Sequence, residues 1–167
     1  SCHQKTFKEW KATNVEDTRQ DCHMPRKKGR LTQKAGFNLL HKKRWVGDHR
    51  FLHGEIKEKD VVMESGWEEN FFIISLKNQT IPHFLPTADN GDPRLYLYIK
   101  FFNEAGEEVD NAKEIIAPQQ ETALPYNKKM RYRYRLFDKI IKAEVELKYQ
   151  PAWSKEKSTV RTETVLR

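Results

Sequence analysis

The sequence is poor in cysteine, with 2 in 167 residues, and it has no long apolar run. Its longest strongly apolar stretch is Phe71 to Ile74, far shorter than the roughly 20 residues that a membrane-spanning helix needs. We therefore expect no membrane span. The chain also begins at Ser1 without an initiator Met or a signal peptide, which suggests a mature or trimmed chain whose upstream part is missing.

The motifs of several enzyme classes are absent as well. The sequence contains no nucleophile elbow, no P-loop, no paired-glycine dinucleotide motif and no HExxH zinc motif. It therefore offers no evidence of catalysis, and we expect a carrier or binding protein rather than an enzyme.

Charge is distributed unevenly along the chain. The formal net charge is +7, and residues 1–53 hold 13 Lys+Arg against 5 Asp+Glu, whereas the remainder is nearly balanced. The same segment holds both cysteines and five of the six histidines. Such a basic block favours an acidic partner, a polyanion or the propionates of haem, although a solvated basic surface explains it equally well.

From about Ile56 onward the sequence shows the two-residue alternation of β-strands. From Ile141 to Tyr149 every second residue is apolar and the residues between are charged, which predicts an antiparallel strand with one wet face. Met130 to Leu136 alternates in the same way. Further strands are predicted at Lys59 to Glu64, Phe71 to Leu76, Leu95 to Phe102, Lys113 to Ala117 and Thr159 to Leu166. The predicted fold class is mainly β, with about seven strands in an antiparallel β-sandwich.

The N-terminal third is predicted to be irregular or helical. Phe7 and Trp10 lie three residues apart and predict a short helix over Gln4 to Ala12. A second helix is predicted over Phe37 to Trp45, with Trp45 facing inward. The sequence therefore predicts two domains, a CH-motif segment at residues 1–54 and a β-sandwich domain at residues 55–167.

Two Cys-His dipeptides, Cys2-His3 and Cys22-His23, lie twenty residues apart. Each corresponds to the end of the c-type haem attachment motif Cys-x-x-Cys-His. In the full motif two thiols form thioethers to the porphyrin, and the adjacent His becomes an iron ligand.

The context of these dipeptides resembles the C-terminal region of periplasmic or secreted bacterial multihaem c-type cytochromes, over about residues 1 to 54. Members of that family have a Cys-x-x-Cys-His with a downstream Glu-Trp, a second site ending in Cys-His-Met-Pro, and a His-x-Phe segment. The matching stretches here are Cys2-His3-Gln4 with Glu9-Trp10, Asp21-Cys22-His23-Met24-Pro25, and His49-Arg50-Phe51. A further stretch, His83-Phe84-Leu85-Pro86-Thr87, is similar to a Gly-His-x-Leu-Pro-Thr segment in the β-sandwich of such proteins.

This resemblance implies an electron-transfer protein that binds one or two haem c groups, each held between two histidines. It implies a periplasmic or extracellular location, and a redox partner that is another haem-bearing protein or an upstream domain of the same polypeptide. The implied haem residues are Cys2 and Cys22 as thioether positions, His3 and His23 as proximal iron ligands, His49 as the distal ligand, and His41, His53 and His83 as secondary candidates.

Both attachment motifs depart from the family pattern. The partner thiol of Cys2 would lie upstream of Ser1, and the position expected for the partner of Cys22 is occupied by Arg19, which forms no thioether. Fewer haems than motifs are therefore possible.

The same cysteines support two competing interpretations without haem. In an oxidising compartment a Cys2–Cys22 disulfide would close a loop of about twenty residues and stabilise the fold by about 3 kcal/mol, leaving a β-sandwich interaction or assembly module. Alternatively, the two Cys-His pairs would bind zinc or copper, although adjacent ligands chelate one ion only with strain.

Other features of the sequence have simpler explanations. The basic runs Arg26 to Arg30 and His41 to Trp45 would suit phosphate binding, but nucleic-acid binding would not explain the two cysteines. Arg131, Arg133 and Arg135 are predicted to form a solvated strand face. The tryptophans are expected to be core anchors, because each buries a large apolar area; they are Trp10, Trp45, Trp67 and Trp153.

Overall fold

The computed structural model of the chain describes residues 2–16, 26–30, 42–47, 55–87, 91–136 and 139–167, with the backbone alone for residues 2–5. Contacts divide the chain into two compact units, residues 1–14 with 55–167 and residues 15–54. The domain boundary expected after residue 54 stays a prediction. No helix in the described ranges is long and apolar enough to cross a bilayer.

The described residues of the larger unit form one α-helix and seven strands, and the mainly β, antiparallel prediction is confirmed for them. The helix α1 spans Cys2–Lys11. Strand numbers follow chain order, and β1 and β2 belong to the smaller unit. The strands of the larger unit are β3 Val61–Glu68, β4 Phe71–Asn78, β5 Arg94–Phe102, β6 Glu108–Ile116, β7 Lys129–Arg135, β8 Lys142–Gln150 and β9 Ser158–Leu166. They form a three-stranded sheet of order β3-β4-β7 and a four-stranded sheet of order β6-β5-β8-β9, antiparallel throughout.

The inner faces of the two sheets share one apolar core. Phe72 of β4 and Phe101 of β5 meet edge to face, with ring centroids 5.5 Å apart, and Trp67 of β3 packs against both rings. Along β5, Leu95, Leu97, Ile99 and Phe101 all point inward and are at most 1% exposed. In β8, Ala143, Val145 and Leu147 are at most 2% exposed, so the alternation of this strand marks its inward face, whereas Ile141, predicted on the same face, precedes β8 and is 36% exposed.

Some strand limits differ from the sequence prediction because pairing and turns override local pattern. Residues Glu58–Asp60 form a 3-10 turn, in which the Asp60 carboxylate accepts a hydrogen bond from the Lys57 amide, so β3 begins only at Val61. β6 begins at Glu108, because the polar segment before Lys113 pairs with β5 through its backbone.

The smaller unit contains the short strands β1, Arg26–Gly29, and β2, Arg44–Gly47, which pair antiparallel. The predicted helix ending at Trp45 is wrong at that end, since Arg44 and Trp45 lie in β2; residues 37–41 lie outside the described residues. Trp45 pairs opposite Lys28, whose ammonium group is 5.5 Å from the indole centroid. The side chain is 63% exposed, so its expected role as a core anchor is also wrong.

Arg131, Arg133 and Arg135 are exposed along β7, which confirms their prediction as a solvated strand face. Two of them have close partners of different kinds. Arg131 pairs with Glu68, and the Arg133 guanidinium lies 3.5 Å from the centroid of the Phe71 ring. On the same face Lys129 pairs with Glu64. Glutamates therefore compensate Lys129 and Arg131, whereas the Phe71 ring attracts the Arg133 guanidinium without neutralising it.

Candidate functional site

The helix α1 places the first Cys-His pair at its N-terminal turn. Phe7 and Trp10 lie on one side of this helix, with ring centroids 5.6 Å apart, as their spacing predicts. The helix ends where the Thr13 hydroxyl donates to the Trp10 carbonyl at 2.7 Å and Asn14 adopts a left-handed conformation, with φ of 56°. Cys2 and His3 therefore lie in the first turn of a helix whose C-terminal end is capped.

Helix α1 is hydrogen-bonded to the loop of residues 81–87. The Glu9 carboxylate accepts from the Phe84 amide at 3.2 Å and from the Thr87 hydroxyl at 3.4 Å. The Thr6 and Thr87 hydroxyl oxygens are 3.0 Å apart. Since Thr6 and Glu9 are three residues apart, they share the helix face turned to the loop. The segment that carries Cys2 and His3 is thereby fastened to the loop that carries His83.

A buried asparagine fixes this loop from the interior. Asn78, which is 0% exposed, donates from Nδ2 to the carbonyls of Ile81 and His83 at 2.9 and 2.7 Å. Its Oδ1 accepts from the Ile81 amide at 3.2 Å. Further along the loop, Leu85 and Leu124 exchange both backbone hydrogen bonds. Because a buried amide is costly to leave unpaired, these contacts hold the loop in one conformation.

The ring of His83 is oriented by its neighbour. Its Nδ1 lies 2.8 Å from the Phe84 carbonyl oxygen, which can only accept, so Nδ1 carries the proton of this hydrogen bond. In the neutral ring the lone pair then resides on Nε2. Metal-binding histidines are commonly oriented in this way, with the second nitrogen donating to a backbone carbonyl.

Of the residues predicted from the sequence, the structure brings together the helix of Cys2 and His3 and the loop of His83. The side chains of Cys2 and His3 are not among those described. The remaining candidates, Cys22, His23, His41, His49 and His53, lie outside the described residues. Within the described ranges, no group of three or more His, Cys, Asp or Glu side chains is placed to hold a metal ion. The ligand roles stay predictions.

Sequence reasoning missed the residues that make the attachment. Glu9 was part of the family resemblance, but its role as acceptor for the loop depends on a contact 75 residues away. Asn78 has a weak local signal, since it is a polar residue that follows the apolar run of β4 at an inward position opposite Val61. Thr6 and Thr87 have none.

Comparison with known proteins shows a likeness of fold. No family model matches the sequence, and no curated protein matches it. A solved structure, the penta-haem cytochrome c552 from Thermochromatium tepidum, is similar in fold with a TM-score of 0.61 and 17% sequence identity. The match covers 97% of this chain and 50% of that chain, so this chain spans about half the length of the cytochrome. At this identity the likeness is one of fold.

Proposed function

We propose that this chain is the haem-bearing C-terminal region of a multihaem c-type cytochrome and that it transfers electrons. The observation that carries the proposal is the attachment of α1, with Cys2 and His3, to the loop that holds His83. The similarity of fold to a penta-haem cytochrome over nearly the whole chain supports it.

The donor set suits haem. A thiol and an imidazole on adjacent residues are the groups that c-type attachment uses, one for a thioether and one for the iron. Haem, when bound, supplies a reversible one-electron carrier. Cys2 and Cys22 would form the thioethers, His3 and His23 would be the proximal ligands and His49 the distal ligand. His41, His53 and His83 are the secondary candidates.

The chain's own residues do the positioning. Glu9 and Thr6 hold helix α1 against the 81–87 loop, and Asn78 fixes the conformation of the loop. The Phe84 carbonyl sets the orientation of the His83 ring. If two histidines held the haem iron, which the porphyrin nitrogens also ligate, no position would remain for a substrate, and this favours electron transfer over substrate conversion.

The proposed partner is another haem-bearing protein or the remainder of a longer polypeptide, since this chain spans half of the similar cytochrome. The proposed location is periplasmic or extracellular, where c-type cytochromes of the family that it resembles are found.

The proposal is tested by visible spectroscopy of the chain expressed together with a c-type haem maturation system. We expect a Soret band and, after reduction, an α-band. The His3→Ala variant should lose the low-spin spectrum of the first site, while Gln4→Ala, the neighbouring substitution, should keep it. The His83→Ala variant separates a ligand from a loop residue, because only loss of a ligand changes the spin state.

Each failure of this experiment points to a specific alternative. A colourless protein with Cys2 and Cys22 joined would be the haem-free β-sandwich module of the sequence analysis. A colourless protein that contains zinc or copper in stoichiometric amount would be the Cys/His metal protein. Either result would overturn the haem proposal.

A further inference from the structure

The outer face of the four-stranded sheet carries a pair of stacked tyrosines. Tyr96 and Tyr98 occupy alternate positions of β5, and their rings are 6.0 Å apart between centroids and nearly parallel, at 13°. They face away from the core, because Leu95 and Leu97 fill the inward positions. Tyr96 is nevertheless only 6% exposed, so other side chains must cover it.

Lysines from three neighbouring segments provide that cover. The ammonium group of Lys157 lies 3.9 Å from the Tyr96 centroid and donates to the Tyr98 hydroxyl at 3.0 Å. Lys113 of β6 lies 5.3 and 5.7 Å from the two centroids, and Lys148 of β8 lies 5.9 Å from that of Tyr98. We call these five residues the lysine–tyrosine patch.

The patch keeps a net positive charge. An aromatic ring attracts an ammonium group without neutralising it. Among the described residues, Lys148 has an ion pair with Glu146 at 3.1 Å, whereas no carboxylate lies within ion-pair distance of Lys113 or Lys157. The patch thus differs from the outer face of the other sheet, where Lys129 and Arg131 are paired with glutamates.

An exposed tryptophan lies at the end of this sheet where β5 begins and β8 ends. Trp153, in the turn between β8 and β9, is 73% exposed and adopts a left-handed backbone conformation, with φ of 58°. Its amide donates to the Gly91 carbonyl at 2.7 Å. A Cβ atom at Gly91 would lie 2.7 Å from the indole, so the close approach requires glycine there. The expectation that Trp153 is a core anchor is therefore wrong.

Gln150 connects this turn to the patch. Its Oε1 accepts from the Tyr96 hydroxyl at 3.0 Å, and its Nε2 donates to the Ser154 carbonyl at 2.9 Å. Trp153 and the lysine–tyrosine patch are therefore held together as one surface. Positive φ at a non-glycine residue costs free energy, and here it accompanies an indole turned to solvent.

We propose that the lysine–tyrosine patch and Trp153 form a docking surface for a protein partner that presents carboxylates around an apolar contact. Uncompensated lysines favour an acidic surface by charge complementarity, and Trp is the residue type most enriched among binding hot spots. The inference is independent of haem and goes beyond the proposed function.

Other occupants fit the observations less well. A second copy placed patch against patch would bring Lys113 and Lys157 of both chains together, and like charges repel. Single-stranded nucleic acid binds by stacking successive bases on several open aromatic faces, but Lys157 covers the Tyr96 ring of this surface and leaves Trp153 as its open ring. Arg94, at the start of β5, is already paired with Asp92 at 2.6 Å and so is not placed to bind phosphate.

The test measures binding of the full chain to labelled poly-L-glutamate and to a labelled glutamate–tyrosine copolymer by fluorescence anisotropy at low salt. Replacing both uncompensated lysines, Lys113→Ala with Lys157→Ala, should weaken binding of both probes by about tenfold. The matched control, Lys59→Ala with Lys128→Ala, removes the same charge from exposed positions elsewhere and should change binding less than about twofold. Trp153→Ala should weaken binding of the copolymer alone.

Several outcomes would overturn the proposal. If both double variants lose affinity equally, the binding reflects net charge and not the patch. If polyphosphate, single-stranded DNA or anionic vesicles bind more tightly than either polypeptide and depend on Lys113 and Lys157, the occupant is not an acidic protein. Should the alanine pair fail to fold by circular dichroism, Lys113→Gln with Lys157→Gln keeps the side-chain length and provides the same comparison.

Discussion

The helix α1 and the β-strands of the same unit are held in place by different forces. Among the described contacts, α1 is joined to the 81–87 loop by the polar groups of Thr6 and Glu9. The strands are held by a continuous apolar core in which Phe72, Phe101 and Leu97 are almost fully buried. The comparison teaches that stability and the proposed chemistry lie on separate elements, so substitutions should affect one without the other.

The largest expected effect is on the core. Phe101→Ala removes a ring that contacts Phe72, Trp67 and Tyr134, and we expect a loss of about 3–5 kcal/mol in the free energy of unfolding. The control is Phe102→Ala on the outer face of the same strand, with an expected loss of about 1 kcal/mol or less. Urea unfolding followed by far-ultraviolet circular dichroism measures both. Equal losses would contradict the assignment of the core.

The next effect concerns the response of the strands to alkali. Burial, together with the charge of Glu114, raises the pKa of Tyr132 to about 12 from 10.0. The same causes, with a hydrogen bond from its hydroxyl to Glu114 at 3.2 Å, raise the pKa of Tyr134. The unfolded chain therefore loses these protons first as the pH rises.

The free energy of unfolding therefore falls as the pH rises from 10 to about 12. The contribution of Tyr132 to stability is fully present below pH 10 and is lost as the pH rises through about 12. Tyr132→Phe should flatten the fall of the free energy of unfolding over that interval and leave its value at pH 8 nearly unchanged. Parallel curves for the variant and the parent protein would contradict this explanation.

A smaller effect is expected at the helix attachment. Glu9→Ala removes the acceptor for the Phe84 amide and the Thr87 hydroxyl, and we expect a loss of about 1 kcal/mol. Hydrogen exchange should quicken at the Phe84 amide and stay unchanged at Phe72 in the core. Glu16→Ala, an exposed acidic residue beyond the helix, should alter neither. If exchange at Phe72 quickens equally, the two elements are not separable.

The smallest effect is expected from the surface ion pairs. Lys129 and Glu64 pair across the outer face of the three-stranded sheet, with both side chains more than half exposed. A double-mutant cycle with Lys129→Ala and Glu64→Ala should give a coupling free energy below about 0.5 kcal/mol that declines further in salt. A coupling of several kcal/mol would show that this face contributes to stability as the core does.

The sequence predicts those parts of the fold that depend on local alternation. The inward positions of β7 and β8 are visible as every second apolar residue, and the helix at Cys2–Lys11, predicted over Gln4 to Ala12, is visible as the pair Phe7 and Trp10. The strand at Arg44–Gly47 is not visible, because four residues are too few for a period and its pairing with Arg26–Gly29 decides its conformation.

The candidate site is predictable only in part, for a similar reason. The family resemblance singles out the first Cys-His pair and His83, but the contact of Glu9 with the 81–87 loop joins residues 75 positions apart. The exposure of Trp153 depends on the glycine at position 91 and on a positive φ, neither of which leaves a periodic signal. Long-range placement and backbone handedness are therefore what the sequence pattern leaves out.

The proposed function is tested most directly by the mass of the denatured protein after maturation with a c-type haem attachment system. The account predicts a mass increased by at least one whole haem that survives denaturation and is lost in the Cys2→Ala, Cys22→Ala double variant. A protein of unmodified sequence mass, or one that is two hydrogen atoms lighter through a Cys2–Cys22 disulfide, would contradict it.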